Sequence, residues 1–400
     1  MTAPHSFGVL AGWLIDGSGA PVRERVMIRV EEGVITALDD VSASTSSRGD
    51  ILRFQESTVL PGLVDCHVHL FMSGDSDPAL RKKQLAFTFD EASPAISRHL
   101  RAHLASGVIA VRDGGDYGGY ALRFNREGQS RDQSPVCVKA AGRAWRAKGR
   151  YGRLIGRPPL EGLTLAQSIF RDSEGADHVK IVNSGLNSLT HFGKETSPQF
   201  GLGDLNDAVA AAGTMGLTVM AHANGGAAVS TAVQAGCRSI EHGFFMGRNN
   251  LELMAERGTF WVPTMFTMAA YAAEPDGKGG EPEVARRNLD HQLEQVSDAR
   301  SRGVRLAVGT DSGSLGVHHG DSYVEELRLF RRAGLSVPEL VMCATLQGAC
   351  LLGIEGEAGQ LRAGMPATFL VVPGGPADLL DHIRTPSEVF VRGVSVRDAR

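Results

Sequence analysis

The chain has 400 residues, of which 42% are hydrophobic and 22% charged, and its formal net charge at pH 7 is −4. This composition is typical of a globular chain and not of a disordered one, and the length leaves room for a barrel of about 250 residues plus an accessory module. Because no basic cluster of the kind that follows a phosphate backbone is present, we expect no nucleic-acid partner.

The cysteines predict a reducing compartment. They are odd in number and scattered without C-x-x-C spacing, which argues against a disulfide framework. These are Cys66, Cys137, Cys237, Cys343 and Cys350. The first residues lack the pattern of a secretory signal, and no stretch approaches the roughly 18 apolar residues of a membrane span. We therefore expect a cytoplasmic protein with no membrane partner.

Short strands are predicted at both ends of the chain, separated by glycine-containing turns. Those of the N-terminal part cover residues 7–15, 26–30 and 34–38, followed by a polar loop at 42–50. Those of the C-terminal part cover residues 367–372, 388–391 and 394–396. We expect the two sets to pair in one composite β-sandwich domain, formed by residues 1–56 and 357–400.

The middle of the chain, residues 57–356, repeats a strand, a glycine-marked loop and a helix. The predicted strands cover residues 59–67, 108–113, 136–142, 178–183, 217–222, 238–242, 259–264 and 305–310. The predicted helices include residues 93–106, 205–215, 225–235, 251–257 and 284–302. Eight strands that alternate with helices favour an α/β fold, a closed (β/α)8 TIM barrel that forms the catalytic domain.

The first barrel strand ends in two histidines. Side chains alternate along a strand, so His67 and His69 share one face while Val68 points into the opposite layer. Two imidazoles placed in this way can hold one metal ion.

Later strands also end in residues that bind metals or protons. These are Lys180, His222, His242 and Asp311. A single strand histidine is commonly a core residue, and a single Asp after Gly-Thr is commonly a helix cap. Neither explanation requires all six residues to lie toward the C-terminal ends of their strands, where barrel enzymes carry their active sites. We therefore predict a metal site at the barrel mouth.

The segments that carry these residues resemble the amidohydrolase superfamily, and the resemblance covers nearly the whole chain. Residues 61–69 (PGLVDCHVH) resemble its first metal motif, and residues 359–372 resemble its closing strands. Three further segments are similar to the imidazolonepropionase-like branch, which contains metal-dependent dipeptidases. They are residues 176–181 (ADHVKI), 240–243 (IEHG) and 308–311 (VGTD).

Lys180 indicates a modified side chain. A protonated amine beside two metal cations would be strongly disfavoured, whereas a lysine carboxylated by carbon dioxide is an anionic ligand that can bridge two metals. The resemblance implies that this carbamate is shared by two divalent ions, with the remaining ligands divided as His67, His69 and Asp311 on one ion and His222 and His242 on the other. Zinc fits these ligands best among abundant metals, although manganese, cobalt and iron are not excluded.

This arrangement predicts a hydrolase with Lys180 and Asp311 as its catalytic groups. Two cations about 3.5–4 Å apart lower the pKa of a bridging water, so that hydroxide is available to attack a carbonyl carbon. Asp311 would accept the proton and deliver it to the departing nitrogen. We expect a small-molecule substrate with an amide or related C–N bond: a dipeptide, an N-acyl amino acid or a cyclic amide.

Three alternatives stay open. One is a mononuclear deaminase of heterocycles, a branch that typically lacks the lysine and carries His-x-x-Glu, whereas His222 is followed here by Ala223, Asn224 and Gly225. Another is a lactonase or esterase, since the same hydroxide attacks any activated carbonyl. The third is a non-catalytic scaffold that has lost its metals. The resemblance also allows a homo-oligomer.

The loop after the third barrel strand departs from the family pattern. Related dipeptidases usually carry Gly-Gly-His there, whereas this chain has KGRYG at residues 148–152, in a basic run that is either solvated or attracts an anionic group. Arg143, Tyr151 and Arg153 are candidates for holding a substrate carboxylate. His318 and His319, in a glycine-rich loop after Asp311, are candidates for substrate contacts or for partners of the metal ligands.

Other polar residues have structural explanations. His99 and His103 are spaced for one helix face, but no glutamate lies between them, so we expect an exposed face and not a metalloprotease pair. His178 is expected to be a hydrogen-bonded core residue. Three amides past the fourth and fifth strands either orient ligands or form turns. They are Asn183, Asn187 and Asn224.

Overall fold

The structure, a computed structural model, describes residues 6–41, 50–127, 135–173, 175–274 and 281–396. Most of the polar loop predicted at residues 42–50 lies outside these ranges. Among the helices of the described ranges, none is long and apolar enough to cross a membrane. All five cysteines are free.

Strands from both ends of the chain form one seven-stranded sheet, with the order β17-β16-β15-β4-β1-β2-β3. Its strands are β1 (Ser6–Leu14), β2 (Arg23–Glu31), β3 (Val34–Asp40), β4 (Ile51–Pro61), β15 (Phe369–Pro373), β16 (Glu388–Val391) and β17 (Val394–Ser395). β4 pairs in parallel with β1 and antiparallel with β15, and it thereby joins the two ends. The predicted pairing between the chain ends is present. A sandwich domain with the predicted bounds stays a prediction.

The two faces of this terminal sheet pack on different clusters, because side chains alternate along each strand. Val59 of β4 and Phe369 of β15 belong to a cluster formed by the terminal strands. Their neighbours Leu60 and Leu370 belong to the large core that also contains the strand after β4. One face of the terminal sheet is therefore fixed to the main core.

The remaining strands form two parallel sheets. The first contains β5 (Leu63–Val68), β6 (Val108–Asp113) and β7 (Cys137–Ala140). The second has the order β14-β13-β12-β11-β10-β8-β9. Its strands are β8 (Ala144–Trp145), β9 (Gly156–Arg157), β10 (Val179–Val182), β11 (Val219–Ala223), β12 (Ser239–His242), β13 (Phe260–Val262) and β14 (Arg305–Leu306). Each of the eight predicted barrel strands overlaps an observed strand, while the two-residue strands β8 and β9 were not predicted.

Backbone hydrogen bonds join the small parallel sheet to the large one at both edges. At one edge, the Cys66 N–H donates to Val308 O (2.9 Å) and the Asp311 N–H donates to His67 O (2.7 Å). At the other edge, the Asp177 N–H donates to Ala140 O (3.0 Å). The segment after β14 therefore lies beside β5.

Helices follow most of the parallel strands. Those of the described ranges are Pro78–Gln84, Phe89–Ala105, Tyr120–Arg126, Leu165–Asp172, Leu202–Thr214, Gly226–Gln234, Arg248–Arg257, Phe266–Ala273, Pro282–Ser301, Asp321–Arg332, Val337–Ala344, Leu346–Leu352 and Leu379–His382, with a 3-10 turn at Pro376–Asp378. The helix predicted at residues 93–106 begins earlier because the Glu91 carboxylate accepts the Thr88 N–H (2.9 Å), which caps its first turn.

Candidate metal centre

Six side chains predicted as metal ligands line one cavity of about 250 Å³. They are His67, His69, Lys180, His222, His242 and Asp311. The four histidines lie at or just after the C-terminal ends of parallel strands, whereas Lys180 is the second residue of β10 and Asp311 lies in the segment that follows β14. The structure therefore brings together residues that are up to 244 positions apart in the sequence.

The tightest group consists of His67, His69 and Asp311. Asp311 Oδ1 lies 3.6 Å from His67 Nε2 and 3.4 Å from His69 Nε2. One ligand atom from each residue lies within 4.8 Å of the others, a spacing that fits a single metal ion. Lys180 Nζ lies 3.5 Å from His67 Nε2.

The other two histidines are close to this group. The ring centroids of His222 and His242 are 4.6 Å apart, and that of His242 lies 4.9 Å from that of His67. The six residues therefore form one continuous cluster with Lys180.

Each histidine has one ring nitrogen held by a hydrogen bond. His67 Nδ1 binds Glu241 Oε2 (2.8 Å), His69 Nδ1 binds Gly115 O (2.8 Å) and His242 Nδ1 binds Thr264 Oγ1 (2.7 Å). For His222 it is Nε2 that binds Gly185 O (3.0 Å). One nitrogen of each ring therefore stays available as a ligand, and fixing a ring through its other nitrogen is the usual arrangement around protein-bound metals.

Two buried charged residues that sequence analysis missed hold the predicted metal ligand His67 in place. They are Glu241 and Arg112. The Glu241 carboxylate binds His67 and also accepts Arg112 Nη2 (2.7 Å). Arg112 further donates to Cys66 O (2.8 Å) and to Ser239 Oγ (3.0 Å). The sequence feature that could have revealed them is a charged residue within each of two otherwise apolar strands. Such residues are almost never fully buried unless they are paired.

Two of the six residues have unusual backbone conformations. His242 has φ +67° and Asp311 has φ +60°, in the left-handed region that residues other than glycine rarely adopt. Such strain concentrates at functional sites, where the surrounding structure enforces it. Here it lies at the end of β12 and in the segment that follows β14, and both side chains line the cavity.

Burial keeps the imidazoles neutral, the form that binds metals. It lowers the pKa of His69 to about 4 and that of His222 to about 3, with Lys180 adding to the effect in both cases. The pKa values of His67 and His242 are also well below the usual range, chiefly through burial.

Burial moves the pKa values of Lys180 and Asp311 toward neutrality. Burial lowers the pKa of Lys180 to about 8, although nearby carboxylates, first among them Glu241, oppose this shift. Burial raises the pKa of Asp311 to about 7, although a hydrogen bond from Ser314 Oγ (2.9 Å) and the Lys180 charge oppose it. Without metals, the cluster thus holds an amine that deprotonates readily and a carboxyl group poised as a base.

Of the five predicted substrate-binding residues, Tyr151 lines the cavity, with its ring centroid 5.4 Å from that of His222. Arg143 is exposed and lies 3.6 Å from Asp172, and Arg153 is exposed. Neither lines the cavity. A role for the two arginines in holding a substrate carboxylate stays a prediction.

His318 and His319 also lie outside the cavity lining. His318 is exposed, whereas His319 is buried. His319 Nε2 donates to Met72 O (2.7 Å), and its Nδ1 lies 3.0 Å from His103 Nε2. His319 therefore binds the segment that follows His69. Its hydrogen-bond partners among the described residues include no predicted metal ligand.

The exposed helix face expected for His99 and His103 was wrong. His103 is fully buried, and the His99 ring stacks on that of His319 with the centroids 4.1 Å apart. These three residues form a histidine cluster, which the i, i+4 spacing alone did not reveal because its third member lies more than 200 residues away. His178 is buried, as predicted.

The predicted amides have different surroundings. Asn183 is buried and donates to Ala228 O (3.0 Å), which is a structural role. Asn187 and Asn224 line the cavity. Arg81 and Tyr271 also line it but were not singled out in the sequence, because both lie in helices whose position depends on tertiary packing.

Comparisons with known proteins point to one family. The amidohydrolase family model matches residues 58–396. The ochratoxinase of Aspergillus niger is 26% identical over 421 residues, which cover 95% of this chain and 84% of that protein. The imidazolonepropionase of Acidiphilium cryptum is 27% identical and covers 81% of this chain and 80% of that protein. A solved structure of a Xaa-Pro dipeptidase with bound methionine in the active site has a TM-score of 0.81 and 26% identity, covering 98% of this chain and 99% of that one.

Proposed function

The chain belongs to the amidohydrolase family of hydrolases that act on C–N bonds, and we propose that it is a binuclear metal-dependent member that cleaves an amide. The observation that carries this proposal is the hydrogen bonding of the four cavity histidines, each of which has one ring nitrogen fixed and the other available. The similarity to a Xaa-Pro dipeptidase supports a dipeptide or an N-acyl amino acid as substrate.

We also infer that the two parallel sheets close into a (β/α)8 barrel over residues 57–356, and that residues 1–56 and 357–400 form a composite β-sandwich domain. The hydrogen bonds at both edges of the small sheet support closure. The seven-stranded sheet that joins the chain ends supports the second domain.

Two divalent ions, with zinc as the best match, fit the donor set. His67, His69 and Asp311 would hold one ion, and His222 and His242 would hold the other. When bound, two such ions lower the pKa of a shared water and polarise the carbonyl of the substrate. The carboxylated Lys180 would complete both sites, and the lowered pKa of its amine favours the free base that reacts with carbon dioxide.

Asp311 is the proton carrier in this proposal. Its Oδ2 is fixed by Ser314 Oγ (2.9 Å), while its Oδ1 faces His67 and His69. A carboxylate fixed in this way can accept the proton of the attacking water and donate it to the departing nitrogen.

Metal analysis of protein purified without chelators tests the proposal. We expect about two ions per chain, with amidase activity that is lost on chelation and restored by divalent ions. One ion together with heterocycle deamination would favour a deaminase, and a chain without ions that cleaves nothing would favour a scaffold. Hydrolysis restricted to esters or lactones would contradict amide cleavage.

Replacement of Lys180 tests the carbamate separately. We expect Lys180→Gln to lose bound metal and to reduce kcat/KM by a factor of about 1,000 or more. The matched control is Lys139→Gln in β7, a strand lysine whose partner is Asp177 (3.5 Å), which should keep both ions. Full metal content and activity in Lys180→Gln would contradict the bridging role.

A further inference from the structure

Arg81 is an unassigned cation in the wall of the cavity. Apart from Lys180, it is the one Lys or Arg side chain among the described residues that line it. It lies in the short helix Pro78–Gln84, which follows β5. The metal proposal gives it no role.

One end of the Arg81 guanidinium is fixed by the backbone. Its Nη1 donates to Asp75 O and to Gly313 O, both at 3.3 Å. Gly313 follows Asp311 by two residues, so the loop that carries the proposed proton carrier also positions the guanidinium. The charge is therefore held in place before any ligand arrives.

The other edge of the guanidinium has no partner within the described parts of the chain. Nε and Nη2 make no hydrogen bond there, and no carboxylate of those residues lies within 4.0 Å. Because Nε–H and one Nη2–H point to the same side of the planar group, they match the two oxygens of one carboxylate. The half-buried guanidinium makes no direct ion pair, although the Asp75 and Asp311 carboxylates act on it at longer range, and an anionic ligand would offset part of the cost of its burial.

We propose that Arg81 binds the free α-carboxylate of the substrate, so that the enzyme acts on N-acyl amino acids or dipeptides and not on neutral cyclic amides or lactones. This inference rests on the proposed function. In such substrates the carboxylate lies two bonds from the departing nitrogen. A carboxylate on Arg81 would therefore place that nitrogen on the side of Asp311, which delivers its proton.

The rest of the cavity suits the remaining parts of such a substrate. Leu154, Leu186, Phe244 and Met268 line it with apolar surface. They can cover an apolar side chain or acyl group while the amide lies at the metal ligands. A charged anchor combined with apolar walls is the usual composition of a small-molecule site.

A structural role for Arg81 makes a different prediction. If Arg81 only fixed the loop of Gly313, its replacement would impair every substrate equally. The test therefore compares N-acetyl-L-phenylalanine with its N-methylamide, which has no charge, by following acetate release from metal-loaded enzyme. Wild-type enzyme should prefer the acid. Arg81→Met should lower kcat/KM for the acid by about 10- to 100-fold, mainly through KM, and leave the amide nearly unchanged.

Two further variants complete the comparison. Arg81→Lys, which keeps the charge but not the paired donors, should recover part of the preference for the acid. The control Lys82→Met removes an exposed charge from the same helix and should behave as wild type. An equal loss on both substrates in Arg81→Met would overturn the inference.

A binding measurement separates this inference from the hydrolase proposal. Titration calorimetry of metal-loaded protein with 3-phenylpropanoate and 3-phenylpropanamide should show tighter binding of the acid, and Arg81→Met should remove the difference. This result without cleavage of any amide would retain the anion site and reject the proposed function. Equal binding of the two probes to wild type, or a preference that persists in Arg81→Met, would overturn the inference.

Discussion

Glu241 connects a predicted metal ligand to a buried ion pair. It is fully buried and is shared between His67, whose ring it orients, and the guanidinium of Arg112. Removing one partner of a buried ion pair leaves the other charge without compensation, which costs more than the pair itself contributes. Stability and metal binding should therefore depend together on this carboxylate.

Replacement of Glu241 by glutamine tests this dependence. We expect Glu241→Gln to lower the free energy of unfolding by about 3 kcal/mol, because Arg112 loses its counterion. Metal affinity should fall by about 10- to 100-fold, because the His67 ring loses its acceptor. Denaturant unfolding and metal titration measure the two effects.

The control for this prediction is Glu357→Gln. Glu357 pairs with Arg392, but both side chains are about two-thirds exposed, at 65% and 66%. Exposed pairs contribute little, so this variant should stay within about 0.5 kcal/mol of wild type. A similar small effect in Glu241→Gln would mean that the buried pair is dispensable.

The sequence predicted the six cavity residues better than it predicted the residues that orient them. Histidine, lysine and aspartate stand out at the ends of apolar strands, so each of the six is a candidate from its local sequence, and the six together indicate a site. The partnership of Arg112 with Glu241 joins β6 to β12, and sequence spacing carries no information about which strands face each other. Whether Arg143 and Arg153 reach a substrate is likewise not specified by the sequence, since the direction of a loop side chain depends on its contacts.

At the scale of elements, the histidine cluster fixes the segment after β5 to the helix Phe89–Ala105. His99 Nδ1 donates to Leu70 O (2.7 Å), and His319 Nε2 donates to Met72 O (2.7 Å). His103, in the same helix as His99, lies 3.0 Å from His319. This segment directly follows His69, so the cluster positions a proposed metal ligand indirectly.

The cluster makes stability depend on pH. Burial lowers the pKa of His103 to about 3, against 6.5 in an exposed chain. The stabilising contribution is complete above pH 6.5 and is lost as the pH falls toward 3, because only the unfolded chain takes up the proton. In metal-free protein, the free-energy difference between wild type and His103→Gln should shrink by about 1.4 kcal/mol per pH unit between pH 6 and 4.

Urea unfolding of both proteins at several pH values measures this difference. The pH dependence that comes from all other titrating groups is common to both proteins and cancels. His382→Gln, at an exposed position, should run parallel to wild type. A constant difference between wild type and His103→Gln would show that His103 takes up its proton in the folded protein over the same pH range as in the unfolded chain.

Elements with clear periodicity were predictable, and short ones were not. The helix predicted at 284–302 corresponds to Pro282–Ser301, and the strand predicted at 108–113 matches β6. β8 and β9 have two residues each, too few for any alternation to appear. Their pairing is set by the fold of the loop that surrounds Tyr151.

At the scale of the whole molecule, one face of the terminal sheet packs on the main core, while the other face packs on a cluster of its own. Phe390 of β16 stacks on Phe369 of β15, with the ring centroids 4.6 Å apart, and lies 6.0 Å from Phe7 of β1. The opposite face of the same sheet contributes Leu60 and Leu370 to the main core. We therefore expect the two parts to unfold together.

The variant Phe390→Ala tests this cooperativity. Loss of a buried aromatic ring should lower the free energy of unfolding by about 3–5 kcal/mol while the molecule still unfolds in one transition. Phe170→Ala is the control, because this ring is 65% exposed and its loss should cost less than about 0.5 kcal/mol. Two separate transitions by fluorescence and circular dichroism would instead indicate an independent terminal domain.

The alternation of strands and helices predicted the α/β class because each unit is local. The joining of the chain ends was predictable only as an inference from strands at both termini. The parallel pairing of β4 with β1 and its antiparallel pairing with β15 depend on long-range contacts that no local pattern specifies.

The position of β4 has a consequence for biosynthesis. The Thr58 hydroxyl donates to Gly374 O, 316 residues further along the chain, and β4 continues almost directly into β5. During translation, β4 and β5 leave the ribosome long before β15 exists, so one edge of β4 stays open until the last tenth of the polypeptide has emerged. Nascent chains stalled before β15 should accordingly be prone to aggregation and dependent on chaperones.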